Sequence, residues 1–214
     1  MKPYFFKSPL ILSWLFPKAI WRGNVDEKVI YLTFDDGPQQ GVTNYVLDLL
    51  HSYQAKATFF CVGNALESNS ELVDRLISEE HLLANHSYKH ENGSLTNTRD
   101  YIDSVNHCGD VLKDIGIENR LFRPPYGRLR YSQRKELHKR NMRIVYWSHL
   151  SGDFDSKLNV ARSIASLKKA GPGSIILFHD SLKAFANLKL LLPEVLEYFS
   201  SRDYQFETLS DYAN

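Results

Sequence analysis

The chain has 214 residues, of which 43% are hydrophobic and 24% are charged, and its formal net charge is +1. These values are typical of one globular domain with a sizeable core; they exclude a disordered chain and give no indication of nucleic-acid binding. The only cysteines, Cys61 and Cys108, argue against a disulfide framework, so we expect two buried, reduced thiols.

The first 27 residues are rich in apolar side chains and raise the question of a signal peptide or a membrane anchor. Their longest uncharged run, 8–17, contains two prolines, lacks a small-x-small cleavage site and is far shorter than the ~20 residues that span a bilayer. We therefore expect residues 1–27 to form an arm packed on a domain that spans 28–214, with peripheral membrane contact as the alternative. The expected location is cytoplasmic or peripheral to the cell envelope.

Seven short apolar runs, each typical of a strand, alternate with segments of helical spacing; the runs are 29–34, 57–62, 81–85, 121–123, 143–147, 174–178 and 205–209. One helical segment places Tyr101, Val105, Cys108 and Leu112 on one face, and Thr98 is its expected N-cap. The alternation predicts an α/β fold of parallel strands, either closed as a barrel or open and doubly wound. No glycine-rich dinucleotide or phosphate-binding motif follows a strand.

Polar side chains follow five of these strands at their carboxyl ends: Asp35 and Asp36, His86 and His90, Arg123, Asp153, and His179 with Asp180. Parallel α/β folds assemble their active sites at this edge. The pattern therefore predicts a catalytic site, although a single Asp-Asp-Gly sequence is also ordinary turn chemistry.

His86 and His90 are four residues apart, so both can reach one metal ion from a single turn. Such a pair also arises by chance in a chain with eight histidines. Joined to a carboxylate from the first strand, the pair makes a set that leaves metal positions open for water and substrate, as a hydrolase needs. One aspartate can then bind the metal while its neighbour stays free as a base.

Arg123 would offset the repulsion between the two aspartates, with a surface salt bridge as the alternative. His179 follows the apolar run SIILF, so a core histidine is the alternative to a catalytic one. For Trp147, core packing is the better interpretation.

Four motifs occur together and in order: TFDDGP (33–38), HSYKH (86–90), RPPYG (123–127) and LFHD (177–180). With them the chain resembles the polysaccharide deacetylases of carbohydrate esterase family four, the family of the nodulation deacetylase, over roughly residues 28–210. The resemblance implies a distorted seven-stranded (β/α) barrel. It also implies one divalent metal ion, usually zinc, with cobalt, nickel or manganese possible. The implied reaction is removal of acetyl from N-acetylated sugars such as those of bacterial peptidoglycan or chitin.

The resemblance also implies the roles of individual residues. Asp36, His86 and His90 would bind the metal, Asp35 would be the base, and His179 would be the acid. Arg123 would hold Asp35, Asp153 would orient His179, and the backbone N–H of Tyr126 would help to hold the oxyanion. Substrate would contact three apolar residues, which are Pro125, Phe154 and Leu177.

One motif departs from the family pattern. Where many relatives have Asp-x-x-Asp-Trp after strand five, this chain has LSGDF, with Leu150 at the first acid and Phe154 in place of the tryptophan. Asp153 is retained, so catalysis stays plausible, but the aromatic residue forms a wall of the family's sugar groove and the identity of the sugar is left open.

Two other classes are possible. A silent glycan-binding module would keep the fold and metal but lose the base or the acid, and both Asp35 and His179 are present. A non-haem iron oxygenase would use similar ligands, but on a mostly antiparallel fold. We expect a monomeric enzyme without a transmembrane segment.

Overall fold

The computed structural model describes residues 4–213. The strands are β1 (Val29–Asp35), β2 (Ala57–Cys61), β3 (Leu82–Asn85), β4 (Leu121–Phe122), β5 (Arg143–Ile144), β6 (His149–Leu150), β7 (Ser174–His179) and β8 (Gln205–Phe206). The helices are α1 (Leu10–Leu15), α2 (Val42–Ser52), α3 (Gly63–Ser68), α4 (Ser70–Ser78), α5 (Thr98–Asp114), α6 (Tyr131–Lys139), α7 (Val160–Leu167) and α8 (Phe185–Ser200). Two 3₁₀ turns cover Pro125–Gly127 and Ser210–Tyr212.

The strands form one curled parallel sheet in the order β5-β4-β3-β2-β1-β7-β6, and β8 pairs with the start of β1. β1 lies in the middle, and all seven of its residues are buried. A strand buried on both faces reads as a continuous apolar run, which is why 29–34 is easily recognised in the sequence. The predicted α/β class, with seven parallel strands in a curled, barrel-like sheet, is confirmed.

The side chains on the two faces of β1 pack in different apolar clusters. Ile30, Leu32 and Phe34 pack in the main cluster between the sheet and its helices. Val29 and Tyr31 point to the concave side, where a smaller cluster fills the interior. Because side chains alternate along a strand, Thr33 and Asp35 also face the concave side, above this apolar plug. The alternation thus carries Asp35 to the mouth of the curled sheet.

The strand boundaries differ from the prediction after β4. The run 143–147 forms only the two-residue strand β5, and a separate strand, β6, follows at His149–Leu150. The strand is interrupted because the carbonyl oxygens of Val145 and Tyr146 accept hydrogen bonds from the Arg123 guanidinium instead of from a neighbouring strand. The run 205–209 likewise gives only Gln205–Phe206.

The N-terminal segment lies along the seam between the edge strands β5 and β6. Ile20 donates its N–H to the carbonyl of Ile144 and accepts from Tyr146, both at 2.8 Å. Further along the seam, Leu150 N–H donates to Phe6 O at 2.8 Å. The segment therefore satisfies backbone groups that would otherwise lie on two open edges.

Both cysteines are buried and reduced, as expected. The cap of α5 differs by one position from the expectation, because Asn97 rather than Thr98 accepts the N–H of Asp100. Asparagine is as good a cap as threonine, and the sequence Asn-Thr offered both. Among the described residues, no helix has the length and apolar character needed to cross a membrane.

Candidate active site

A cleft of about 730 Å³ opens at the carboxyl edge of the sheet. Eight of the residues predicted for the site line it, namely Asp35, Asp36, His86, His90, Tyr126, Phe154, Leu177 and His179. Arg123 and Asp153 are fully buried behind the cleft wall. The structure therefore brings together in space the residues that the sequence supplies from five strands.

Asp36, His86 and His90 form a compact cluster whose ligand atoms lie within 4.8 Å of one another. Asp36 Oδ1 is 3.1 Å from His90 Nε2 and 3.7 Å from His86 Nε2. Asp35 Oδ2 is also 3.7 Å from His86 Nε2, so the contact to His90 distinguishes the two aspartates. Asp36 is the carboxylate that both imidazoles share.

The contacts of His86 prepare its ring to bind a cation. His86 Nδ1 lies 2.7 Å from the carbonyl oxygen of Arg123, a contact that fixes the proton on Nδ1 and leaves the lone pair of Nε2 facing Asp36. Burial lowers the pKa of His86 to about 4, so the ring is neutral at pH 7 and can act as a ligand.

Asp36 Oδ1 is buried and makes no hydrogen bond of acceptable geometry to a described residue, although His90 is close. Burial raises the pKa of the Asp36 carboxyl, but the nearby imidazoles, that of His90 foremost, outweigh it and leave the pKa below its ordinary range. A buried, ionised oxygen without a donor beside two imidazoles is a set that a divalent cation would satisfy. The residues present therefore fit one metal ion.

The backbone around the cluster is strained. Asp36, His90 and Tyr126 have φ values of 86°, 58° and 59°, in the left-handed region that non-glycine residues seldom adopt. Such strain collects at functional sites and persists only where surrounding contacts fix it. Here one such contact is the Glu91 carboxylate, which accepts hydrogen bonds from Ser87 and Ser104 at 2.9 and 2.7 Å and holds the loop that carries His90.

Asp35 is held from below by Arg123, whose Nη1 donates to Asp35 Oδ1 at 2.8 Å. The guanidinium also donates to Thr33 Oγ1 at 2.8 Å and lies over the Phe60 ring, 4.0 Å from its centroid. Each of these contacts is inside the protein, which excludes the alternative of a surface salt bridge. The pair leaves Asp35 Oδ2 on the cleft side, where the His86 ring lies.

His179 ends β7 directly beside Asp35, because the two residues are register partners across the β1–β7 pair. Its Nδ1 contacts Asp153 Oδ1 at 2.7 Å, and its backbone N–H donates to Asp153 Oδ2 at 2.8 Å. Burial lowers the pKa of His179, but the charge and hydrogen bond of Asp153 outweigh it and raise the pKa to about 9. The side chain lines the cleft, so the core-histidine alternative does not hold.

Asp180, the last residue of the LFHD motif, has a structural contact that the sequence did not reveal. It is buried and accepts hydrogen bonds from Gly37 N–H at 3.0 Å and from Thr43 Oγ1 at 2.6 Å. These bonds fasten the loop after β1, which carries Asp36, to the end of β7. A side chain at Gly37 would collide with this carboxylate, since an added Cβ would lie 1.9 Å from it.

One expectation for the substrate contacts needs correction, and one side chain expected in the core also reaches the cleft. Pro125 is buried and does not line the cleft, because it begins the 3₁₀ turn that presents Tyr126. Trp147, for which core packing was the better interpretation, does pack against two of the apolar clusters, but it is only partly buried and also lines the cleft. Trp147 is the last residue of the predicted run 143–147, so no signal in the sequence placed it beyond a strand.

Tyr4 was not predicted as a site residue, yet it lines the same cleft. Its hydroxyl donates to Asp155 at 3.1 Å, and its ring contacts Phe154 with centroids 5.3 Å apart. Phe154 in turn lies edge-on to His179, with the ring centroids 5.3 Å apart. No sequence pattern connects Tyr4 with a motif 150 residues away, so only the folded chain shows this contact.

The cleft and its cluster of aspartate and histidine side chains occur in a chain whose residues 22–145 match the polysaccharide deacetylase family profile. The peptidoglycan-N-acetylmuramic acid deacetylase PdaA of Bacillus subtilis is 31% identical over 90% of this chain and 74% of its own length. A peptidoglycan-N-acetylglucosamine deacetylase of Bacillus cereus is 31% identical over 89% of this chain and 91% of its own length.

The crystal structure of the Bc1960 peptidoglycan N-acetylglucosamine deacetylase superimposes with a TM-score of 0.85 and 28% identity, and covers 95% of this chain and 96% of its own. The fold and the sequence therefore agree. Because the profile spans more than half of the residues and the identity to PdaA extends over most of both proteins, the chain belongs to the polysaccharide deacetylase family.

Proposed function

We propose that the protein is a metal-dependent hydrolase that removes acetyl groups from N-acetylated amino sugars. The observation that carries this proposal is the placement of Asp35 and His179 at paired positions of β1 and β7, beside the cluster of Asp36, His86 and His90. One carboxylate and one imidazole on adjacent strands can act as base and acid on the same substrate. The domain that carries the activity is residues 28–214.

Asp36, His86 and His90 would hold one divalent cation, and zinc fits a donor set of two nitrogens and one oxygen. Such a cation supplies Lewis-acid polarisation of the acetamide and a lowered pKa for the attacking water. The side chains around the cation would carry out the proton transfers.

Asp35 would take the proton of the attacking water. Its Oδ1 is occupied by Arg123, so Oδ2 is the oxygen available on the cleft side. The hydrogen bond from the buried guanidinium restricts the rotation of the carboxylate, which holds the base in one position without a movement during the reaction.

His179 would donate a proton to the departing amine. With Nδ1 engaged by Asp153, the ring presents Nε2 to the cleft. The raised pKa keeps the imidazole protonated at neutral pH, so the proton is in place before the carbon–nitrogen bond breaks. Asp153 acts through His179 and touches no substrate.

Tyr126 would contribute its backbone N–H to the oxyanion. Its unusual φ is support for a backbone placed by function, and its ring lies 4.7 Å from that of His90. Phe154, Leu177 and Trp147 give the cleft an apolar wall against which a sugar face and an acetyl methyl could pack.

The names of the relatives favour peptidoglycan amino sugars as the substrate, and a site of action at the cell envelope. Leu150 and Phe154 depart from the family pattern on the substrate side of the cleft, which leaves room for another N-acetylated glycan. We propose peptidoglycan first and chitin oligomers second.

The test is release of acetate by the purified protein from peptidoglycan, chitin oligomers and acetylated xylan, before and after treatment with a chelator. We expect acetate from at least one N-acetylated glycan, loss of release after chelation and recovery with added zinc. Binding to a glycan without acetate release would instead favour the silent binding module. No release and no binding with any member of the panel would overturn the proposal.

A further inference from the structure

The N-terminal segment exposes large apolar side chains that the fold does not use. Phe5, Ile11, Trp14 and Leu15 are each more than half exposed, and Trp14 reaches 82%. They lie within eleven consecutive residues. Single exposed apolar residues are ordinary, but a group of four on one segment indicates a surface for a partner.

Helix α1 separates these side chains from those that hold it to the domain. Leu12 and Phe16 line a groove against the body of the protein, where Phe16 lies 6.2 Å from the Tyr146 ring and 4.7 Å from the Arg134 guanidinium. Ile11, Trp14 and Leu15 follow the i, i+3, i+4 spacing of one helix face, and that face is the exposed one.

The surface around α1 is strongly cationic. Three grooves border the helix, with volumes of about 540, 610 and 560 Å³. Lysine and arginine account for four of the residues that line the first groove, three in the second and four in the third. Arg134 lines both the first and the second groove. Ten of the chain's 26 basic residues therefore gather here. Among the described residues, not one of the chain's 25 acidic side chains lines any of the three grooves.

These cations differ in their compensation, because Lys139 pairs with Glu136 at 2.7 Å whereas two other lysines have no such partner. Lys18 and Lys135 are exposed, line the same groove as Leu15, and form no ion pair with a described carboxylate. In a chain with a net charge of +1, such segregation is a property of this face and not of the whole molecule.

The exposed apolar side chains and the cationic grooves together indicate which kind of partner fits this surface. A second copy of the chain docked face to face around a two-fold axis would bring the same cations together. A soluble polyanion would satisfy the cations but leave Trp14 and its apolar neighbours in water. A bilayer with anionic headgroups meets both requirements, since apolar side chains enter the boundary with the acyl chains while lysine and arginine contact headgroup phosphates.

We propose that α1 and the cationic grooves around it form a peripheral binding face for an anionic phospholipid bilayer. The six residues of α1 are far fewer than the ~20 that span a membrane, so the helix lies in the interface. Backbone bonds at Ser8 and Ile20 hold the segment to the domain on either side of α1. The face is therefore preformed, and binding requires no folding step.

The test is sedimentation of the full chain with vesicles of phosphatidylcholine alone or of phosphatidylcholine and phosphatidylglycerol in equal parts. We expect binding to the anionic vesicles that weakens as salt is raised, together with a blue shift of tryptophan emission that Trp14→Phe removes. Trp14→Ser/Leu15→Ser should lower the partition coefficient by at least about tenfold. Lys18→Ala/Lys135→Ala should lower it about fivefold for each charge removed.

Matched variants elsewhere on the surface serve as controls. Ile77→Ser/Leu190→Ser removes two exposed apolar side chains, and Lys113→Ala/Lys157→Ala removes two exposed charges; none of the four residues lines a groove beside α1. Both controls should bind like the wild type. Equal loss in a control and its partner variant would overturn the proposal, because binding would then not be local.

Three other results would also contradict a membrane face. The first is an absence of binding to anionic vesicles at low salt. The second is binding that survives Trp14→Ser/Leu15→Ser, which would indicate a site for a soluble polyanion. The third is a dimer in vesicle-free solution that Trp14→Ser disrupts, which would indicate a second copy as the occupant. The acetate assay is independent of all three results.

Discussion

Asp35 and Asp36 are adjacent in the chain, but their surroundings give them different chemistry. Asp35 is bound by a buried arginine, whereas Asp36 faces two imidazoles with an oxygen that has no hydrogen-bond donor. The structure thus distinguishes Asp35, which is held by an arginine, from Asp36, whose carboxylate can bind a metal ion.

This separation predicts different losses at the two positions. Asp35→Asn should keep the bound metal and lower kcat on the order of 10²- to 10⁴-fold, the usual contribution of a positioned base. Asp36→Ala should lose both metal and activity. Metal content per folded chain, measured beside the rate, checks the prediction, and equal metal loss in the two variants would show that their roles are shared.

His179 gives a prediction for pH. The acid must be protonated, so activity should be present below the His179 pKa of about 9 and fall as pH rises through it. Because Asp153 is what raises this pKa above the ordinary value of ~6.5, Asp153→Asn should move the alkaline limb to lower pH while bound metal is unchanged. A limb that stays in place in the variant would take the acid role from this pair.

Among the individual site residues, those that directly follow a strand were predicted from the sequence. Positions and contacts that depend on another part of the chain were missed. Asp35, His86 and His179 are each placed by a buried strand whose pattern is readable. Tyr4 reaches the cleft from the N-terminal segment, and the contacts of Asp180 depend on the loop after a different strand. Neither placement is encoded in local periodicity.

Among the elements, the connection from β1 to α2 carries Asp36, the proposed metal ligand, and is held by two hydrogen bonds to Asp180, the residue after β7. Asp180 accepts from Gly37 N–H and Thr43 Oγ1, one contact at each side of the connection. The ends of two neighbouring strands are thus held together next to Asp36.

Asp180→Ala should therefore lower metal affinity about tenfold or more, although Asp180 is not itself a ligand, and should reduce the free energy of unfolding by about 1–3 kcal/mol for each donor left unpaired. Thr43→Val is the comparison variant, because it removes the bond to Asp180, together with the one that Thr43 Oγ1 accepts from Gln39 N–H, and keeps the bond from Gly37 N–H to Asp180. Metal titration and chemical denaturation of both variants check this. Wild-type metal affinity in Asp180→Ala would show that the loop holds its shape without the clamp.

The sequence predicted strands correctly where both faces of the strand are buried. The prediction failed where a side chain takes the backbone hydrogen bonds that a neighbouring strand would otherwise make. β1, β2 and β7 appear at the predicted positions because their apolar runs are continuous. Around β5, two carbonyls bond to Arg123 and the chain pairs with Ile20, so the predicted five-residue strand shortens to two. Such long-range hydrogen bonds leave no pattern in the sequence.

For the molecule as a whole, the N-terminal segment completes the seam between β5 and β6 and also supplies Tyr4 to the cleft. Trp147 and Tyr126 line both the cleft and the groove beside α1. The catalytic cleft and the cationic face are therefore neighbours on one side of the protein.

The seam gives a prediction for stability. Ile20→Pro removes the N–H that donates to Ile144 and should lower the free energy of unfolding by about 3 kcal/mol. Ile20→Val keeps this bond and should cost only about 0.5–1.5 kcal/mol. Urea denaturation of both variants compares them, and equal effects would show that the side chain, not the backbone pairing, holds the segment.

The measurement that tests the account most directly is a titration of zinc into metal-free wild-type protein, with bound zinc and acetate release from an N-acetylated glycan followed together. Activity should rise in proportion to bound zinc and level off at one ion per chain, and Asp36→Ala should show neither binding nor activity over the same range. Full activity in the metal-free protein, or zinc bound by Asp36→Ala as tightly as by the wild type, would contradict the account.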